Sequence, residues 1–132
     1  IKAEAQFRSG DLTGARGSME QGIAANMAYL GVSSDSSQLY VDSLPGATTL
    51  ELIMEEKYIS MFTQGESWTD WRRTGYPTLS ADPLWYLTEI PRRMPYPESE
   101  YLYNNEKVPM PEDATYEERY GMSPEYRIFW DK

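Results

Sequence analysis

The spacing of apolar residues at the start of the chain predicts a pair of helices. Ala3 and Phe7 lie four residues apart, as on one face of a short helix. A second helix is predicted to begin at a cap formed by Asp11 or Thr13. Its apolar face comprises Leu12, Ala15, Met19, Ile23 and Met27. We therefore expect residues 1–30 to form a helical hairpin of the tetratricopeptide type, in which small alanines let two antiparallel helices approach closely.

A polar stretch follows the predicted hairpin. Residues 31–47 are rich in serine and end in a Pro-Gly pair, a composition that is typical of a linker with a turn. The strongest helical pattern comes next, where Thr48 and Glu51 have the spacing of a capping box and Gly65 is the predicted end. The apolar face of that helix comprises Leu50, Ile53, Met54, Lys57, Tyr58, Met61 and Phe62.

The motif ESWTDWRRTGYP completes the second helical region, which spans residues 48–76. Its first part predicts a short helix over residues 66–73, and Gly75 followed by Pro77 predicts where that helix ends. The change in composition after this motif marks the last segment of the chain.

Residues 77–132 combine prolines with tyrosines and charged residues. Eight of the nine prolines lie between Pro77 and Pro124, so long regular elements are not expected there. The density of aromatic residues argues against disorder. We expect an irregular wrap with short helices near Glu98–Asn104 and Thr115–Tyr120, packed on the helical part. The predicted fold class is mainly α.

Composition and charge exclude several functions. The chain has 21 acidic and 12 basic residues, a formal charge of -9, which disfavours nucleic acid and anionic membrane surfaces as partners. It contains neither histidine nor cysteine, so the commonest general base, the commonest metal ligand and the thiol nucleophile are missing. Acidic clusters could supply glycosidase carboxylates or calcium ligands, but none has the required spacing or pocket. The sequence indicates a non-catalytic protein with no cofactor and no metal site.

The motif ESWTDWRRTGYP is the densest cluster of chemically distinctive side chains. On a helix, Trp68 and Trp71 share a face, and Arg73 lies three residues after Asp70. We interpret the motif as a structural corner of buried tryptophans and paired arginines, formed by Trp68, Asp70, Trp71, Arg72, Arg73 and Gly75. Two alternatives stay open: an arginine clamp for an anionic ligand, and an aromatic platform that includes Tyr76.

A second arginine pair lies between prolines in the stretch IPRRMPYPESEYLYN. Prolines on both sides favour an extended backbone, which presents Arg92 and Arg93 on opposite sides. Glu98 and Glu100 are the expected local partners. We interpret this pair as structural too, in ion pairs that join segments distant in the sequence.

Three stretches together resemble a known family. The run LIMEEKYISMFTQGESWTDWRRTGYPTL, the stretch IPRRMPYPESEYLYN and the terminal RIFWDK resemble the C-terminal part of SusD/RagB-family proteins of Bacteroidetes, and the first helix pair resembles the tetratricopeptide-like unit that precedes them. The resemblance implies an outward-facing, lipid-anchored protein of the cell outer membrane. Such a protein caps a SusC-like TonB-dependent transporter and captures oligosaccharides, or in some members peptides, for import.

The resemblance also sets what we expect of the ligand site. Family members are several times longer, so we interpret the chain as a piece whose signal and lipid anchor lie upstream. Trp85 and Tyr86, two adjacent rings in an irregular segment, are our hypothesis for ligand contact because sugars stack on aromatic rings. The alternative function is a helical-repeat scaffold that contacts only protein, such as the transporter.

Overall fold

A computed structural model describes residues 1–84, 89–110 and 113–121. The chain divides into two compact units, Ile1–Pro77 and Thr78–Lys132. The protein is mainly helical, which confirms the predicted fold class. In the ranges described, no helix combines the length and the apolar character needed to cross a membrane.

The first unit is built from five helices. They are α1 (Lys2–Arg8), α2 (Leu12–Tyr29), α3 (Ser34–Ser43), α4 (Leu50–Ser60) and α5 (Gly65–Thr74). Helices α1 and α2 pack together as the predicted hairpin, α3 packs on α2, and α4 contacts α1, α2 and α5. Asp11 caps α2, because its carboxylate accepts a hydrogen bond of 2.8 Å from the Gly14 amide.

The core of the first unit lies where α1, α2, α3 and α4 meet. Its buried apolar residues are Ala3, Ala15, Met19, Ile23, Val41, Leu52 and Ile53. Phe7 and Met27 pack against them from positions that are half-buried. The predicted apolar face of α2 is thus confirmed except at Leu12, which lies in the first turn and is half exposed.

The prediction of a linker over residues 31–47 is wrong for its middle part, which forms α3. The Ser33 hydroxyl accepts a hydrogen bond from the Ser36 amide, so a serine that suggested a loop is the helix cap. Ser37 and Val41 are buried four residues apart. Val41 belongs to the buried core, so the otherwise polar α3 packs on α2 through this face.

The start and end of α4 differ from the prediction. Thr49, not Thr48, caps the helix by accepting a hydrogen bond of 3.1 Å from the Leu52 amide. The helix ends at Ser60, and Thr63 adopts a left-handed conformation with φ 68°. The predicted stop, Gly65, is instead the first residue of α5. The chain therefore turns earlier than expected.

This early turn also changes which side chains of the α4 region are buried. The buried residues of α4 are Leu52, Ile53, Met54 and Glu56. Phe62, predicted on the apolar face, follows the end of the helix and is exposed. The end of α5 agrees with the sequence, because Gly75 takes the left-handed conformation with φ 79° that glycine tolerates best.

The second unit contains short elements between irregular segments. They are α6 (Glu98–Tyr103), a 3-10 helix (Asn105–Lys107) and α7 (Tyr116–Arg119). Thr115 and Glu118 form a capping box at the start of α7. Both predicted short helices are confirmed to within about a residue at each end.

Candidate functional site

The tryptophans and arginines of α5 are buried to different degrees. Trp71 is 7% exposed and Arg72 is 6% exposed, whereas Trp68 is half-buried. The guanidinium carbon of Arg72 lies 3.8 Å from the ring centroid of Trp68, one helical turn earlier. A cation over a tryptophan face at this distance is attracted by the ring quadrupole. Because both residues belong to α5, this contact holds the Trp68 ring against its own helix.

Arg73 connects two helices that are far apart in the sequence. Its guanidinium donates two hydrogen bonds to the carboxylate of Glu4 on α1, at 2.5 and 2.9 Å. It also donates to Asp70 at 2.8 Å, the pair expected from the three-residue spacing. Lys57 on α4 forms an ion pair with the other oxygen of Asp70. We call these residues, Glu4, Lys57, Asp70 and Arg73, the four-charge network.

The four-charge network is electrostatically well satisfied. Hydrogen bonds from Arg73, opposed by burial and aided by Arg8, hold the pKa of Glu4 at about 2, below its ordinary 4.5. Burial raises the pKa of Asp70, but hydrogen bonds from Lys57 and Arg73 outweigh it, so the net pKa is lowered. The pKa of Arg73 is raised by its bonds to Glu4 and Asp70.

The chemistry of the network follows from these shifts. Both carboxylates are ionised and hydrogen-bonded near neutral pH, so neither is poised to act as a general acid. The guanidinium of Arg73 is already shared between two carboxylates. The geometry favours a structural corner that joins α1, α4 and α5, with Gly75 ending the helix that carries it.

The second arginine pair lies in the second unit and packs on aromatic and glycine positions. The backbone amides of Arg92 and Arg93 both donate to the Tyr120 carbonyl, at 2.9 and 3.0 Å. The Arg93 guanidinium carbon lies 4.6 Å from the Tyr96 ring centroid. A Cβ at Gly121, where φ is 69°, would lie 2.7 Å from Cγ of Arg93. These backbone bonds join segments distant in the sequence.

Trp85 and Tyr86, the hypothesised ligand contacts, lie outside the described residues. Described residues on both sides of them in the sequence line an open depression of about 460 Å³. Its lining includes Ser80, Asp82 and Ile90. Small-molecule sites commonly combine an apolar surface with a few polar groups, and this depression has both.

A groove that the sequence did not reveal lies in the first unit. We call it the α2/α4 groove; its volume is about 550 Å³, and its lining includes Ala3, Met19, Ile23, Met27, Ile53 and Glu56. Glu56 is 8% exposed, and the Tyr40 hydroxyl donates to both of its carboxylate oxygens, at 3.0 and 3.2 Å. Burial raises the pKa of Glu56, against the lowering effect of the Tyr40 bond. Burial of Tyr40 and its hydrogen bond to Glu56 raise the pKa of Tyr40.

Sequence reasoning missed the partners that these sites need. Glu4 carried only a local signal, an arginine four residues later, while its stronger partner lies 69 residues away. Tyr40 fell in the segment predicted to be a linker. Glu56 follows Leu52 by four residues and Ile53 by three, so helical spacing would have placed it on the buried face.

Comparison with protein families gives one finding for this chain. Residues 1–97 match the SusD-like 2 family, whose description is "Starch-binding associating with outer membrane". The match covers both helices of the hairpin, the α5 motif and the second arginine pair. Comparison with curated proteins and with solved structures gave no match.

Proposed function

The chain belongs to the SusD-like family of starch-binding proteins associated with the outer membrane, and from this premise we propose that the protein captures oligosaccharide at the bacterial cell surface without altering it. A lipid anchor upstream of this chain holds the protein on the outward-facing side of the outer membrane. The protein then delivers the sugar to a SusC-like TonB-dependent transporter for import.

The family match over residues 1–97 is the observation that carries the proposal. The four-charge network adds chemical support, because its carboxylates are ionised and held by cations. Carboxylates in that state stabilise a scaffold and do not transfer protons at neutral pH. A rigid helical unit that presents ligand-contacting loops elsewhere is how binding proteins commonly combine stability with recognition.

We place ligand contact at Trp85 and Tyr86. Aromatic rings bind the apolar face of a pyranose, and nearby polar groups bind its hydroxyls. The depression lined by Ser80 and Asp82 supplies polar groups close to these rings in the sequence.

Titration calorimetry with malto-oligosaccharides of increasing length tests the proposal on the full-length protein. We expect saturable binding that weakens by about tenfold or more when Trp85 and Tyr86 are both replaced with alanine, since each ring adds about 1 kcal/mol. Tyr103→Ala is the matched control, because this ring is 87% exposed in the same unit. Equal affinities for the double variant and the control would reject the two rings as contacts.

The calorimetric titration also separates the alternative function. A protein that binds the purified transporter and none of the sugars is a scaffold that contacts only protein, and that outcome would replace the proposal.

A further inference from the structure

The depression beside the two proposed ligand rings in the sequence is lined by a carboxylate. The described residues that form it are Ser80, Ala81, Asp82, Leu84 and Ile90, and we call it the 80–90 depression. Asp82 is the charged residue among these five. Its side chain belongs to an exposed residue, so a ligand can reach it from solvent. A sugar bound in the 80–90 depression therefore meets a carboxylate.

The Asp82 carboxylate is held in place by the chain that follows it. Its Oδ1 atom accepts a hydrogen bond of 2.8 Å from the Leu84 amide, two residues later. A bond of this kind restricts the rotation of the aspartate side chain. A carboxylate has about four acceptor positions, so Oδ2 and the remaining lone pair of Oδ1 can accept from sugar hydroxyls. Because the carboxylate is already oriented, binding a hydroxyl costs less side-chain entropy.

The sequence around the 80–90 depression is acidic. Residues 74–91 include Asp82 and Glu89 but neither lysine nor arginine. Arg92 and Arg93 come next, and neither lines the depression in the part of the chain that the structure describes. The guanidinium carbon of Arg93 lies 4.6 Å from the ring centroid of Tyr96. The stretch that forms the depression thus has a net negative charge.

A carboxylate at this position treats neutral and acidic sugars differently. The hydroxyls of a neutral pyranose donate hydrogen bonds to a carboxylate, and such bonds are stronger than those between neutral groups. A uronic acid carries a carboxylate of its own, which accepts hydrogen bonds and has none to donate. Two like charges about 6 Å apart, at an effective dielectric between those of a protein surface and water, repel by an amount equal to about tenfold in affinity.

We infer that Asp82 determines the charge specificity of the sugar site, because its carboxylate accepts hydrogen bonds from the hydroxyls of neutral oligosaccharides and repels acidic ones. The inference rests on the proposed function and names the substrate class of that same site. It assigns to Asp82 both an attractive contact with the correct sugar and a repulsive contact with the wrong one, which is how specific sites commonly discriminate.

Three sugars of one length and linkage test the inference on the full-length protein. The first is a malto-oligosaccharide, and the second is the same sugar with its C6 groups oxidised to carboxylates. The third is the methyl ester of the second, which is neutral but keeps the added atoms. Titration calorimetry at low salt should show that the ester binds about tenfold more tightly than the acidic sugar. At 1 M salt, where the screening length is about 3 Å, the ratio should fall to about twofold.

Two protein variants assign the discrimination to Asp82. Asp82→Asn removes the charge while its amide oxygen can still accept from Leu84, so the ratio at low salt should fall to about threefold or less. The same variant should bind the malto-oligosaccharide about threefold more weakly, because a charge-assisted hydrogen bond becomes a neutral one. Asp113→Asn is the matched control, since Asp113 is exposed in the same unit and does not line the depression. It should keep the ratio of the parent.

Three results would overturn the inference. One is equal affinity of the parent for the ester and the acidic sugar, and another is an unchanged ratio in Asp82→Asn. The third is an equal fall of the ratio in Asp113→Asn, which would assign the discrimination to the total charge of the protein. If none of the three sugars binds, the proposal of sugar capture fails and this inference fails with it, whereas equal binding of all three contradicts the inference alone.

Discussion

Replacement of Arg73 with methionine measures how strongly the four-charge network joins α5 to α1. The variant leaves the Glu4 carboxylate, 8% exposed, with Arg8 as its remaining cation. Removing one partner of a buried ion pair strands the other charge, whereas an exposed pair contributes little. Glu4 lies in the first class, and the Arg73 side chain, 36% exposed, lies between the two.

The magnitude follows from the pKa of Glu4. A pKa of about 2, against an ordinary 4.5, corresponds to about 3 kcal/mol of preference for the ionised carboxylate. Arg73 contributes the largest share and Arg8 a smaller one, and solvent screens the part of Arg73 that is exposed. We therefore expect Arg73→Met to lower the free energy of unfolding by about 2 kcal/mol.

A double-mutant cycle isolates the pair. Urea denaturation, followed by tryptophan fluorescence and circular dichroism, would be measured for the parent, Arg73→Met, Glu4→Gln and the double variant. We expect a coupling free energy of about 1–3 kcal/mol. Lys2→Met on the exposed side of α1 serves as the control for charge loss and should change stability by less than about 0.5 kcal/mol. A coupling below about 0.5 kcal/mol would refute the view that Arg73 joins the helices.

Two further predictions concern pH and helix caps. Because the pKa of Glu4 is lowered, its carboxylate contributes stability that is present above pH 4.5 and is lost as the pH falls towards 2. Urea denaturation should show the parent losing about 3 kcal/mol of unfolding free energy relative to Glu4→Gln over that interval. Parallel pH profiles for the two proteins would contradict this. Gly17→Ala, with open space around its Cβ, should raise the free energy of unfolding by up to about 1 kcal/mol. Gly14→Ala should give no such gain, because its Cβ would collide with the Asp11 carboxylate that caps α2. Equal changes in melting temperature for the two variants would show that the cap is unimportant.

The sequence predicted the elements whose signal is local. Helical spacing located the α1/α2 hairpin, and Gly75 located the end of α5, because a glycine in the left-handed conformation is a local requirement. Segment α3 was missed, since its serines favour loops by composition while its stability comes from Val41 packed in the core. Tertiary packing overrode propensity there.

The candidate sites show the same division. The pairing of Asp70 with Arg73 is readable from a spacing of three residues, but the bond between Arg73 and Glu4 depends on how α1 and α5 meet. The α2/α4 groove depends on how Tyr40 of α3 and Glu56 of α4 meet the core, which no motif encodes. The resemblance to the SusD/RagB family predicted the family, which helical spacing and capping signals alone do not identify, because long ordered motifs are specific to a family.

Sugar capture without turnover is tested most directly by saturation-transfer difference NMR of the full-length protein with malto-oligosaccharides. The account predicts that magnetisation passes from the protein to the sugar ring protons, and that the sugar recovered after prolonged incubation has the mass it started with. Shortened or modified sugar, or no transfer to any sugar while the protein is folded, would contradict it.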